Sequence, residues 1–121
     1  MAFATDRPIF LSLADAIAAD ILAGLYPEES QVPSTTELAG HYLINPATAG
    51  KALNVLVDAG IVYKKRGLGM FVATGAPDAL RRRRREEFHS RFIQPLLNEA
   101  DRLGLTADDV IALIAKEKDQ P

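Results

Sequence analysis

The stretch VPSTTELAGHYLINPATAGKALNVLVDAGIV, Val32 to Val62, holds two helix-start signals close together, and that spacing constrains the fold more than any other feature of the chain. Ser34 and Glu37 form a capping box: the Ser34 hydroxyl can accept from the Glu37 amide while the Glu37 carboxylate reaches back to the cap. Asn45-Pro46 is a second start, because asparagine is a favoured N-cap and proline at the first helical position loses no hydrogen bond the helix needs. The first of the two helices is therefore short, about Thr35 to Tyr42, with Leu38 and Ala39 facing inward. The second turns Ala49, Ala52, Leu53, Leu56 and Val57 inward and ends at Gly60. Thr48, Lys51 and Asn54, with Ala47 beside them, are left on its outward side.

The flanks complete the pattern. Upstream, Phe10, Leu13, Ala14, Ile17, Ala18, Ile21 and Leu22 recur at helical spacing until Gly24 stops them, and YPEESQ follows as a loop. Downstream, IVYKKRGLGMFVA places β-branched and aromatic residues on both sides of a Gly-containing turn, so Ile61 to Lys65 and Met70 to Ala73 read as a β-hairpin. The order helix, helix, helix, hairpin is that of a winged helix-turn-helix. A breaker, Gly75-Ala-Pro77, separates this unit from a tail, giving a boundary between residues 1–75 and 76–121.

The tail reads as helical. Asp78 lies near the cap of a long helix in which Phe88, Phe92 and Leu96 form one apolar row and Ile93, Leu97 and Ala100 the next. Pro95 falls inside it and should kink or interrupt it. Thr106 and Asp109 cap a last helix carrying Val110, Ile111, Leu113 and Ile114. The expected fold class is mostly α with a small β-hairpin: a winged helix-turn-helix domain followed by a short α-helical dimerisation tail.

Charge is unevenly distributed. The net charge is −2, yet Ile61 to Arg91 holds nine Lys and Arg against three Asp and Glu, while the remaining residues hold five basic against thirteen acidic. Such segregation lets one side of an acidic chain bind phosphate. The run Arg81 to Arg85 surrounds its helix with charge; it either faces DNA phosphate or is solvated and paired, with Glu86 and Glu87 or with a partner's acids. The chain has no cysteine, which removes disulfides and thiolate metal sites and fits a reducing cytoplasm. No apolar run reaches the roughly 18 residues of a membrane span, and MAFATDRPIF lacks the order of a secretory signal. No membrane partner is expected.

In a winged helix-turn-helix the third helix enters the DNA major groove, and its N-terminus points amide groups and a positive dipole end toward phosphate. Asn45, Ala47, Thr48 and Lys51 are then the surface offered to bases and backbone. Lys64, Lys65 and Arg66 of the hairpin supply affinity beside it.

These residues also carry a resemblance. Pro-Ser-x-x-Glu-Leu-Ala at Pro33 to Ala39, Asn-Pro-x-Thr at Asn45 to Thr48, Ala52-Leu53 and Arg-Gly-x-Gly-x-Phe-Val at Arg66 to Val72 together resemble the N-terminal domain of the GntR family of bacterial transcription regulators, over about half the chain. The Asn-Pro turn and the two-helix tail are similar to its YtrA subfamily, whose tail serves dimerisation and whose members are commonly repressors. By position, the resemblance implies DNA contact at Ser34 and Thr35, with Thr36 beside them, at Asn45, Thr48 and Lys51, and at Arg66, Gly67 and Gly69. Many relatives carry arginine where this chain has Thr36, Pro46 and Gly50, so specific binding is either weaker or leans on the wing cations and the arginine run. The tail residues Phe88, Phe92, Ile93, Leu96, Leu97, Val110, Ile111 and Ile114 are the expected dimer seam. The implied partner is a double-stranded operator, pseudo-palindromic, with half-sites about one helical turn apart, roughly 34–36 Å, or a multiple.

Other functions find less support. There is no Gly-rich phosphate loop, no His with a nearby nucleophile and no paired carboxylates in an expected cleft, so no enzyme and no cofactor are expected. His41 and His89 lack the carboxylate spacing of a metal site, and no metal is expected. A small-molecule effector, if one exists, would sit between tail helices and bias the dimer geometry. The alternative function is a winged-helix module that binds another protein and not DNA; KKRGLG separates the two, since such a module has no reason to keep it.

Overall fold

A computed structural model describes residues 7–120. Residues 1–6, part of the stretch weighed as a secretory signal, and Pro121 lie outside them. The elements are α1 (Ile9–Leu22), α2 (Thr35–Tyr42), α3 (Pro46–Asp58), β1 (Val62–Lys65), β2 (Gly69–Val72), α4 (Ala76–Phe88), a π-helical segment (His89–Ile93), α5 (Gln94–Arg102) and α6 (Ala107–Lys118). The fold is mostly helical with one small hairpin. It divides into two compact units, one running to Arg82 and the other starting at Arg83.

The first unit is built on one apolar core. Leu13, Ile17 and Ile21 of α1 meet Leu38 of α2, Ala49, Ala52, Leu53 and Leu56 of α3, and Ile61, Val62 and Val72 of the hairpin. No polar or charged side chain is buried among the described residues, so the core is held by apolar burial without an internal polar network. The inward faces of α1, α2 and α3 are those expected from helical spacing, Val57 being half-buried. Ala76 and Leu80 of α4 are buried in this same core, which anchors the start of that helix in the first unit.

Two local readings change. YPEESQ is not simply a loop: the Glu29 amide donates to the Val72 carbonyl at 2.8 Å, Val72 donates to Ser30 at 2.9 Å and Val32 to Met70 at 2.9 Å. Gln31 forms an antiparallel bridge with Phe71, so this segment edges the β1–β2 hairpin. The strand signal was hidden because Glu29, Ser30 and Gln31 are all polar and only the following Val32 is apolar. Gly75-Ala-Pro77 begins a helix instead of only breaking the chain: Gly75, at φ +83°, turns the backbone, and Pro77 lies in the first turn, where its missing N–H costs nothing.

The second unit contains the remainder of the tail. The expected interruption at Pro95 takes the form of the π-helical segment, whose wider turn ends with the Gln94 amide donating to the His89 carbonyl. Pro95 has no N–H for the Arg91 carbonyl and its ring crowds that carbonyl, so a five-residue spacing replaces the four-residue one. Thr106 then caps α6 as expected: Asp109 N–H donates to Thr106 Oγ1 at 3.1 Å, and Thr106 N–H to Asp109 Oδ2 at 2.9 Å. Ala100 and Val110 are the buried residues joining α5 to α6.

Candidate nucleic-acid interface

Both caps that open the helix-turn-helix are formed. Glu37 N–H donates to Ser34 Oγ and Ser34 N–H to Glu37 Oε1, each at 3.1 Å. Ala47 N–H donates to Asn45 Oδ1 at 2.8 Å. Between the two helices Leu43 closes α2 in the left-handed conformation at φ +56°, with its amide on the Ala39 carbonyl.

The amides at the two helix starts differ in a way the sequence did not foretell. At α3, Pro46 has no N–H, Ala47 is satisfied by the Asn45 side chain, and Thr48 N–H donates to the Asn45 carbonyl at 2.9 Å. The start of α3 therefore offers its dipole and side chains, and not free amides, to a phosphate. At α2 the amides of Thr35 and Thr36 have no protein partner among the described residues. The free donors belong to the second helix.

Around these starts Ser34, Thr36, Asn45, Ala47 and Lys51 are exposed, and Thr35 and Thr48 half-buried. The NH2 group of Asn45 has no protein partner among the described residues, so this cap keeps two outward donors. Lys51 Nζ lies 5.8 Å from the Phe10 ring centroid, and its stem rests toward α1.

The hairpin is held along its β2 edge by the Glu29–Val32 segment. Tyr63 pairs with Phe71 across the strands, and Lys65 Nζ sits 4.3 Å from the Phe71 ring centroid and 5.8 Å from that of Tyr63, a cation–π arrangement that folds the lysine back along the hairpin from its turn. At the tip, Leu68 N–H donates to the Lys65 carbonyl, and Gln31 Nε2 donates to the Leu68 carbonyl at 2.9 Å. Gly67 and Gly69 take φ of +77° and +118°, and a Cβ on Gly69 would lie 2.6 Å from Gln31 Nε2. Glycine at 69 is thus required by conformation, and a Cβ there would displace the Gln31 amide. Lys64, Arg66 and Leu68 are exposed along this tip.

Glu29 and Gln31 are site-shaping residues that sequence reasoning missed. The Glu29 carboxylate accepts from Thr74 Oγ1 at 2.6 Å and from the Tyr63 hydroxyl. These hydrogen bonds, Thr74's first, hold the Glu29 carboxyl below its ordinary pKa, and the bond to Glu29 raises the Tyr63 hydroxyl. No periodic signal marks either residue, because each acts on a segment distant in the chain.

The expected dimer residues sit in the second unit and are mostly exposed. Phe88, Phe92, Leu96, Leu97, Ile111 and Ile114 are 41 to 62 % exposed, Ile93 is half-buried, and Val110 is buried against its own subunit. The Phe88 and Phe92 rings lie 5.6 Å apart. An apolar groove of about 250 Å³ runs between α5 and α6, lined by Leu96, Ala100, Leu103, Val110, Leu113 and Ile114 with Glu99 and Glu117 at its rim. Its lining offers a ligand few polar groups.

Comparison with known proteins bears on this geometry. Residues 11–72 match the family model described as bacterial regulatory proteins, gntR family. The chain is 31% identical to the crystal structure of a transcriptional regulator of that family from Bacteroides thetaiotaomicron, covering 89% of this chain and 94% of that one with a TM-score of 0.75. It is 28% identical over 111 residues to the HTH-type transcriptional regulator YhcF of Bacillus subtilis (strain 168), covering 90% of this chain and 88% of that protein. AraR(DBD), solved in complex with operator ORR3, is similar over 53% of this chain and 77% of its own, at 28% identity and a TM-score of 0.51.

Proposed function

The chain belongs to the gntR family of bacterial regulatory proteins, and from that premise we propose that it is a cytoplasmic, sequence-specific repressor that binds a pseudo-palindromic operator as a homodimer. Regulators of this family bind DNA and are not enzymes. Residues 1–75 are the DNA-binding domain and 76–121 the dimerisation region, whose first helix starts from Ala76 and Leu80 packed in the core of the former. The observation that carries the reading is that one folded unit bears both a cationic hairpin tip, pinned by Gln31, and a helix start whose Asn45 is exposed and Thr48 half-buried.

Within this docking, α3 lies in the major groove. Asn45, Thr48 and Ala47 set sequence choice, and Lys51 contributes there or at phosphate. The free amides of Thr35 and Thr36, with the Ser34 hydroxyl, take a phosphate at the start of α2. Lys65, Arg66, Gly67 and Gly69 bring the wing to the neighbouring backbone or minor groove. The Asn45-Pro46 turn and the paired tail helices support a YtrA-like member. The exposed Phe88, Phe92, Leu96, Leu97, Ile111 and Ile114, with Ile93, close the dimer, and Val110 supports them from beneath. An effector, if one acts, shifts the spacing of the two α3 helices through this seam.

The test is fluorescence anisotropy on DNA from the protein's own upstream region against scrambled DNA of equal length, at several salt concentrations. Tight binding to the first alone, with a steep salt slope, is expected. Absence of binding to either at low salt would refute the reading and leave a protein partner as the target of the wing.

A further inference from the structure

The arginine run of α4 has no role in that docking, and its surroundings are unusual. Arg81 pairs with Asp78 at 2.7 Å, and Glu87 lies 3.7 Å from Arg91; Arg82, Arg83, Arg84 and Arg85 have no ion-pair partner among the described residues, and all are exposed. The acids that follow the run, Glu86 and Glu87, do not neutralise it. Between the buried Leu80 and the exposed Phe88 every side chain is charged, so this part of α4 has no apolar stripe with which to pack. Successive residues turn by about 100°, which carries the guanidinium groups right round the helix.

The charge distribution makes the run more pointed. Residues 1–75, which hold the helix-turn-helix and wing, carry five basic side chains against seven acidic, a net charge of −2. One of the five, Arg7, is engaged with Asp15. Residues 92–121 carry three basic against six acidic, a net −3, whereas residues 76–91 carry six against three, a net +3. A DNA-binding region that is itself acidic has weak long-range attraction for a polyanion, and the segment supplying the missing field is the one that follows it. Ala76 and Leu80 are fixed in the first unit's core, Arg81 and Arg82 end that unit, and Arg83 to Arg85 continue the same helix at the start of the second.

We propose that Arg82 to Arg85 form a second DNA-contact element, which binds phosphodiester groups without reading bases; this rests on the DNA-binding reading above. Guanidinium groups bind phosphate oxygens in bidentate geometry, and four of them on flexible stems suit an anion whose charges recur along two strands. A partner protein's carboxylates would meet one face of the helix and leave the other guanidinium groups exposed. Like charges three and four residues apart also repel along α4, and a polyanion relieves that repulsion.

The test replaces all four by glutamine (R82Q/R83Q/R84Q/R85Q), which keeps helix propensity, and compares it with the wild-type chain on operator and scrambled duplexes across salt concentrations. Each phosphate contact contributes about 0.9 to the slope of log K against log salt. The slope is expected to fall by at least about 2, with affinity at low salt reduced at least about tenfold on both duplexes alike and the specificity ratio preserved. A slope within about 1 of wild type overturns the proposal while the DNA reading stands, as does a lost dimer mass by light scattering, which would assign the arginines to the partner subunit. A wild-type chain without salt-dependent binding overturns both. If the fourfold variant does not fold, R82Q/R83Q and R84Q/R85Q are measured separately, each expected to lower the slope by about 1 or more; two unchanged slopes overturn the proposal.

Discussion

Replacing Gly69 by alanine tests the wing tip in a way that separates two physical causes. At φ +118° an L side chain is strained by about 2 kcal/mol, the middle of the usual range for a residue held in a sparsely populated region. The new Cβ would also lie 2.6 Å from Gln31 Nε2. The amide is the far end of a flexible side chain and swings away, so the second cost is the lost bond to the Leu68 carbonyl, about 1 kcal/mol. G69A should therefore lower unfolding free energy by about 3 kcal/mol, reduced to the extent that the tip relaxes locally. Gln31→Ala alone should cost about 1 kcal/mol. In the double variant the bond is lost only once, so its cost should match that of G69A and fall about 1 kcal/mol short of the two single costs combined. Urea denaturation followed by circular dichroism, at one fixed protein concentration, measures all three. Strict additivity would refute the contact between Gln31 and the tip, and a G69A cost near zero would refute the tip conformation.

Ser34→Ala removes one half of the capping box at α2 and should cost about 1 kcal/mol by the same denaturation assay. The Glu29 carboxyl has a folded pKa below its unfolded one, so its contribution is present above the unfolded value and lost as pH falls through the folded value. Glu29→Gln should accordingly be less stable than wild type near neutral pH and converge with it in acid, read from urea midpoints across pH. Phe92→Glu places a charge on the exposed aromatic pair of the tail; on the dimer we propose, light scattering should give a dimer mass for the wild-type chain and a monomer mass for the variant, while the circular dichroism spectrum is kept.

The helix-turn-helix was readable because its determinants are local. Ser34 with Glu37, Asn45 with Pro46 and the spacing of Leu53 and Leu56 all act within one or two helical turns, and each does in the structure what its spacing implies. The hairpin was readable for the same reason, through its glycines. What escaped notice is non-local. Glu29 reaches Tyr63 and Thr74, and Gln31 reaches Leu68, over more than thirty residues of chain, and nothing in a short polar stretch announces such partners. The idea that α3 offers free amides failed for a different reason: Asn45 and Pro46, the residues that mark the helix start, also remove those donors. The arginine run was visible at once, but that Arg82 to Arg85 have no ion-pair partner among the described residues follows from side-chain placement.

The π-helical segment at His89–Ile93 has a consequence for how tails of this kind can diverge. It accommodates one residue more than an α-helical path would, and one residue corresponds to about 100° of helical rotation. Loss of a single codon from this segment, with Pro95 and the rest of α5 unaltered, would turn α5 by about 100° relative to the residues that precede it. Length at this point, as much as composition, then decides which side of α5 the tail presents, through a change that substitutes no amino acid.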